Sequence, residues 1–160
     1  MDINLDQILS PQSVQLNFEA RNKEELLQNL SAAAAAELGA EQPPILSALR
    51  SREALGSTAL GNGIMAPHGK LAFLKSLHLH LFRLAPDCRL EYDTPDGLPV
   101  RLIALILSPP EPGPDYLKLL AAIGRIWGVS NNVKALMECQ DKQTFRQTFI
   151  YLTSSLVRLD

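Results

Sequence analysis

Residues 100–107 read VRLIALIL, apolar throughout except for Arg101. A run this short and this apolar is what a strand covered on both faces requires, because neither face meets water. The stretch therefore predicts a central, buried strand. Upstream, LHLHLFRL at 77–84 alternates apolar and polar residues, which predicts a strand with one partly exposed face. VQLNF at 14–18 alternates in the same way and predicts a third, half-buried strand. Between the two long strands, Pro95-Asp96-Gly97 within YDTPDGLP carries a turn signal.

Helical patterns fill the gaps between these strands. Asn22 with Glu25 three residues on forms a capping-box pattern. Leu26, Leu27, Leu30 and Leu38 then recur at helical spacing, and Gly39 ends the run. The alanine block inside this segment is strong helix former suited to close packing. EQPPILSALRSRE at 41–53 predicts a second helix, its prolines tolerated in the first turn. After the proline-rich loop SPPEPGPD at 108–115, a helix is expected to bury Leu117, Leu120, Ile123 and Trp127. Two more helices are expected to start at Ser130 and Asp141. Strands interleaved with helices predict an α/β fold, a mixed β-sheet flanked by helices on both faces, in a single domain over 1–160.

Composition narrows the function classes. The chain has 160 residues, 46% of them hydrophobic, and a formal net charge of −2. Its Lys and Arg are dispersed, with no basic run to follow a phosphate backbone, so no nucleic-acid partner is expected. No stretch nears the ~18 apolar residues of a membrane span, so no membrane insertion is expected. The N-terminal MDINLDQILS lacks the basic and apolar regions of a signal peptide. Cys88 and Cys139 have no metal-binding spacing, which fits a reduced, cytoplasmic setting. His78 and His80 lie two apart on one strand face with no third ligand in evidence, so they read as packed or half-exposed histidines. Neither a metal nor a cofactor is expected.

The chemistry concentrates in GSTALGNGIMAPHGK, residues 56–70. Gly61-Asn62-Gly63 can take positive φ and turn successive amides toward one point, a nest for an anion. Ser57 and Thr58 add hydroxyl donors, and Arg52 and Lys70 add positive charge. Pro67 fixes the backbone before His68, and Gly69 keeps the space beyond it open. These features suggest an imidazole held beside a pocket for a negatively charged group. A histidine bonded only to its own backbone fits the residues as well. The glycines do not open a helix after a strand, so the dinucleotide fingerprint fails.

SREALGSTALGNGIMAPHGK resembles the signature of phosphotransferase-system enzyme IIA domains of the fructose/mannitol class, R-E-x-x-G-S-T-x-x-G-N-G-x-A-x-P-H-G-K. YDTPDGLPVRLIALILSPP is similar to a second family stretch, and LDQIL with the following helix looks closer to the nitrogen-regulatory branch. The resemblance implies that His68 accepts a phosphoryl group from a small phosphocarrier protein (HPr-like), with Arg52 beside that group. It also implies delivery to a IIB domain or, in the nitrogen branch, control of regulatory target proteins by phosphorylation state. Ser57, Thr58, Gly61, Asn62 and Gly63 then become candidate phosphate-binding residues.

Two departures stand out. The family carries a second active-site histidine at the start of the next helix, where this chain has Tyr116, a hydroxyl donor without charge at neutral pH. That substitution motivates an alternative, a regulatory binding module that has lost efficient phosphotransfer. The second departure is at Asp87-Cys88-Arg89, which reads as one inserted residue in a longer hairpin loop, with Cys88 an ordinary thiol.

Overall fold

The computed structural model describes residues 3–88, 90 and 94–157. The elements run, in chain order, α1 (Leu5–Ile8), β1 (Val14–Phe18), α2 (Lys23–Leu38), α3 (Gln42–Ala54), β2 (Ala59–Gly61), β3 (Ile64–Met65), β4 (His68–Lys70), β5 (His78–Leu84), β6 (Leu102–Ser108), α4 (Pro114–Trp127), α5 (Ser130–Glu138) and α6 (Lys142–Val157). Arg89, Tyr92 and Asp93, which belong to the expected hairpin loop, lie outside the described residues.

β6 is the middle of the sheet, and every residue in it is buried. The strand order is β1-β5-β6-β3-β2, with β4 also paired to β6. β5 runs antiparallel to β6. On β6's other side β3 and then β4 lie parallel to it in succession, Ile64 opposite Leu102 and His68 opposite Ile106. Strand alternation divides β6 between two cores. Leu102, Ala104 and Ile106 face a cluster with Leu5, Leu119, Ile123, Trp127, Leu136, Phe145 and Phe149, drawn from α1, α4, α5 and α6. Ile103, Leu105 and Leu107 face Leu26, Leu30, Ile45 and Leu49 of α2 and α3. The fold is thus a mixed α/β sheet with helices on both faces.

Local signals explain most boundaries. The Asn22 side chain accepts from the Glu25 amide at 2.8 Å, and Gly39 ends α2 in the left-handed region at φ 65°. Asp141 Oδ1 accepts from the Thr144 amide at 2.7 Å at the start of α6. α5 begins at Ser130, with Val129 as its cap residue.

Two expectations need correction. β5 has no open face: between β1 and β6 it is largely buried, and only His78 and Arg83 are partly exposed. Two of its polar residues have partners inside the protein. His80 Nδ1 meets Glu37 Oε2 of α2 at 3.0 Å, and Arg83 Nη1 donates to the carbonyls of Leu136 and Met137 at the end of α5. In α4 the buried residues are Leu119, Ala122, Ile123, Ile126 and Trp127, whereas Leu117 is 64% exposed. The buried stripe runs through 119, 122, 123, 126 and 127, with Tyr116 and Leu120 partly buried at its edge, so it is rotated from the face that the leucine spacing suggests.

Candidate functional site

β2 begins only at Ala59 and pairs with β3, and among the described residues no strand pairs with β4 on its outer side. There α3 comes down on β4. A Cβ built on Gly69 would lie 3.1 Å from Ala48 Cβ, so the glycine is what permits this approach. One helical turn after Ala48 comes Arg52, which therefore hangs over His68, the neighbour of Gly69 on β4.

The imidazole is held at both nitrogens. Arg52 Nε donates to His68 Nε2 at 3.0 Å, and His68 Nδ1 lies 3.0 Å from the Ala66 carbonyl oxygen. A guanidinium can only donate and a carbonyl can only accept. The two contacts together therefore require the tautomer with a proton on Nδ1 and a lone pair on Nε2. Arg52 Nη1 also donates to the Gly56 carbonyl at 2.9 Å, which fixes the fork.

Tyr116, in the first turn of α4, packs edge-on against His68 with ring centroids 5.9 Å apart. Burial pushes its hydroxyl above the ordinary value of 10, opposed by the positive charge of Arg52, so it stays a neutral donor at pH 7. An open cleft of about 500 Å³ lies over these groups. Ser51, Arg52 and Leu55 of α3, His68 and Lys70 of β4, and Tyr116 line it, so its described walls carry two cations and no carboxylate. His68 and Lys70 pair with Ile106 and Ser108, which puts both on one face of the sheet. Arg52, His68, Tyr116 and Lys70 are thus gathered at one place.

The other expected residues lie elsewhere. Gly61, Asn62 and Gly63 do take positive φ, at 92°, 56° and 79°. Their turn, however, sits level with Arg101, the residue before β6, whose amide donates to the Gly63 carbonyl, while His68 sits level with Ile106. Five strand residues, ~16 Å, separate them. The nest holds an internal anion instead. The Asn62 amide donates to Asp96 Oδ2 at 2.8 Å, and the Leu98 amide donates to Oδ1 at 3.1 Å. The amides of Asn62 and then Leu98 hold the Asp96 carboxyl below its ordinary value. The Asn62 side chain donates to the Trp127 carbonyl at 3.3 Å, tying the turn to the end of α4. Thr58 is buried, and its hydroxyl donates to Glu53. Ser57 Oγ accepts from the Ala59 amide at 3.1 Å. The Asn62 amide of the glycine turn is thus committed to a carboxylate, and the turn lies apart from the cleft over His68.

Glu53, Asp96 and the Ala66 carbonyl escaped the sequence reading. Glu53 matches the E that follows R in the quoted signature, but nothing in the sequence gives it a role or shows which way it turns. Among the described residues no group of three or more His, Cys, Asp or Glu could hold a metal ion, and no helix is long and apolar enough to cross a membrane.

Comparison with known proteins bears on this arrangement. Residues 7–151 match the family described as phosphoenolpyruvate-dependent sugar phosphotransferase system, EIIA 2. The chain belongs to that family. Within the EIIA 2 family it is similar to a nitrogen regulatory protein of Bradyrhizobium diazoefficiens, 35% identical over 136 residues, covering 85% of this chain and 88% of that protein. The crystal structure of nitrogen regulatory protein IIA-Ntr from Neisseria meningitidis superposes with a TM-score of 0.83 at 26% identity, covering 90% of this chain and 97% of that one. The mannitol IIA solved in complex with phosphorylated IIB from Escherichia coli shares the fold, with a TM-score of 0.66 at 16% identity over 90% of this chain and 95% of that one. The EIIA 2 chain described here thus falls with the nitrogen-regulatory branch.

Proposed function

We propose that the whole chain, 1–160, works as one phosphoacceptor domain in the cytoplasm, taking a phosphoryl group on His68 Nε2 from a phosphocarrier protein. The observation that carries this reading is the pair of contacts on the imidazole, which puts the lone pair on Nε2, where it accepts from Arg52 at the edge of an open, cationic cleft. A neutral imidazole with its second nitrogen held by a carbonyl is a competent nucleophile near neutral pH.

In the transfer, the Nε2 lone pair attacks the phosphorus of a phosphohistidine on the donor. The donor's N–P bond breaks, and its ring nitrogen keeps the electron pair. The new N–P bond leaves positive charge on the His68 ring, whose Nδ1–H is already directed at the Ala66 carbonyl. Arg52 releases Nε2 and turns its fork toward the phosphoryl oxygens, with Lys70 and the Tyr116 hydroxyl on the same cleft wall. Positioning and charge stabilisation are the bulk of such catalysis. Phosphorylation adds nearly two negative charges to a cationic surface, enough to change which proteins dock there. Regulatory target proteins fit the nitrogen-branch likeness, and a IIB domain fits the mannitol neighbour.

The test is incubation with enzyme I, phosphocarrier and phosphoenolpyruvate, with a sugar-type IIA as positive control. An acid-labile adduct on wild type and none on His68→Ala is expected. No label on the wild type beside a labelled control overturns the reading. The uncharged Tyr116 favours one second reading, a binding module with feeble transfer. That reading expects partner binding to ignore both His68→Ala and phosphorylation.

A further inference from the structure

We propose that Glu53, which does not touch the cleft, is a positioning residue for the phosphoacceptor: its carboxylate sets the tautomer of His68 and the place of Arg52 through the 56–58 segment. The inference rests on the phosphoacceptor reading above for its kinetic consequence, although not for its spectroscopic one.

Glu53 is adjacent to Arg52 on the last turn of α3 but points the opposite way, into the protein, where only 4% of its side chain is exposed. A buried carboxylate is costly unless it is fully partnered. Here the Thr58 hydroxyl and, at 3.4 Å, the Thr58 amide donate to it, and Lys23 Nζ lies 2.8 Å away. Lys23 is the first residue of α2, where the helix dipole disfavours a cation. Its ammonium is directed to Glu53 in spite of that.

From Thr58 a chain of hydrogen bonds runs to the imidazole. The Thr58 carbonyl accepts from the Ala66 amide at 3.0 Å, and the Ala66 carbonyl is the acceptor for His68 Nδ1–H at 3.0 Å. The same segment serves the other nitrogen. Gly56 donates its amide to the Glu53 carbonyl at 3.1 Å and offers its own carbonyl to Arg52 Nη1, while Arg52 Nε faces His68 Nε2. Both partners of the ring thus hang from residues 56–58. That segment precedes β2, has no strand pairing of its own, and is pinned by Glu53 at Thr58. Releasing Thr58 frees the Ala66 carbonyl and leaves Gly56 held only by its main-chain bond to Glu53, and the ring then loses the fixed acceptor that keeps its proton on Nδ1.

The experiment uses the 15N-labelled full chain and reads the two ring nitrogens of His68 in long-range 1H–15N correlation spectra, assigned by the signals lost in His68→Gln. Glu53→Gln and the near-isosteric Thr58→Val are compared with wild type and with Asp141→Ala, a cap loss on α6 remote from the cleft. Wild type is expected wholly as the Nδ1–H form. Glu53→Gln and Thr58→Val are expected to show a measurable Nε2–H fraction and to accept phosphoryl groups about tenfold more slowly, the loss one net hydrogen bond represents. Asp141→Ala is expected to change neither. The proposal is overturned if both variants keep the wild-type ring signals and rate, or if Asp141→Ala shifts the signals as far. Should Glu53→Gln not fold, Thr58→Val decides. Should wild type accept no phosphoryl group at all, the phosphoacceptor reading fails while the ring signals still decide this inference.

Discussion

Gly69→Ala is the sharpest probe of how the cleft is assembled. The added Cβ would sit 3.1 Å from Ala48 Cβ and 3.7 Å from both the Ala48 carbonyl carbon and Leu49 Cδ2. Carbon atoms prefer ~3.5–4.0 Å, so α3 must retreat by roughly half an ångström. Neither Ala48 nor its backbone has a flexible end that could swing aside. Overpacking of this kind costs ~1–3 kcal/mol. The smaller unfolded-state entropy of alanine returns about 0.4–1 kcal/mol, so the clash wins. A net loss of ~1–2 kcal/mol corresponds to roughly 2–8 °C in Tm for a chain of this size. Urea unfolding should show a lower midpoint at unchanged slope. Because Arg52 rides on the displaced helix, phosphoryl acceptance by His68 should fall roughly tenfold. Ala48→Gly alone costs about 1 kcal/mol of helix propensity. Placed on Gly69→Ala it removes the contact, so a double-mutant cycle should return a favourable coupling of ~1 kcal/mol or more. An unfolding midpoint equal to wild type, or a cycle with no coupling, refutes the idea that this contact places α3.

Three further outcomes are expected. Arg52→Lys cannot hold both His68 Nε2 and the Gly56 carbonyl, so acceptance should drop roughly 10²-fold with the fold intact by circular dichroism; a rate near wild type would remove Arg52 from the chemistry. Tyr116 keeps its proton well above neutral pH because burial raises it, so it should add no inflection to the rate profile between pH 6 and 9, whereas Tyr116→His should add one near ~6.5; superimposable profiles would show that position 116 does not feel the reaction. Burial alone would raise the Glu37 carboxyl, but hydrogen bonds from His80, Ser13 and Ser10 and the charge of His80 bring it down from 4.5 to about 2. A carboxyl depressed in the folded state contributes stability above pH 4.5 that is lost as pH falls toward 2. Glu37→Gln should flatten stability against pH across that window in urea titrations, and an unchanged slope would argue against the pairing.

Much of the fold was legible because periodicity reports burial. The unbroken apolar run of β6 can only sit between two helical layers, and Asn22, Gly39 and Asp141 mark helix ends by chemistry that acts within four residues. Failures came where a partner far along the chain decides. The alternation of His78, His80 and Arg83 looks like a wet face until Glu37 and the α5 carbonyls supply their partners. Gly61, Asn62 and Gly63 did announce positive φ, yet only the return of the chain at Asp96 shows which anion their turn receives. His68, Arg52 and Tyr116 were legible through resemblance, because no spacing rule links positions 52, 68 and 116. Glu53 stands in the same signature, but its role was not legible: adjacent residues on a helix point in different directions, and only the fold shows that Glu53 turns inward while Arg52 lines the cleft.

The late start of β2 has a consequence for how the acceptor operates. Among the described residues no strand or flap covers β4, so the imidazole has no dry chamber within them, and the cleft stands open. Shielding from hydrolysis would have to be lent by whichever macromolecule docks, for as long as the two stay together. On the phosphoacceptor reading, the charged form would be exposed between encounters, its lifetime governed by ambient acidity rather than by the fold.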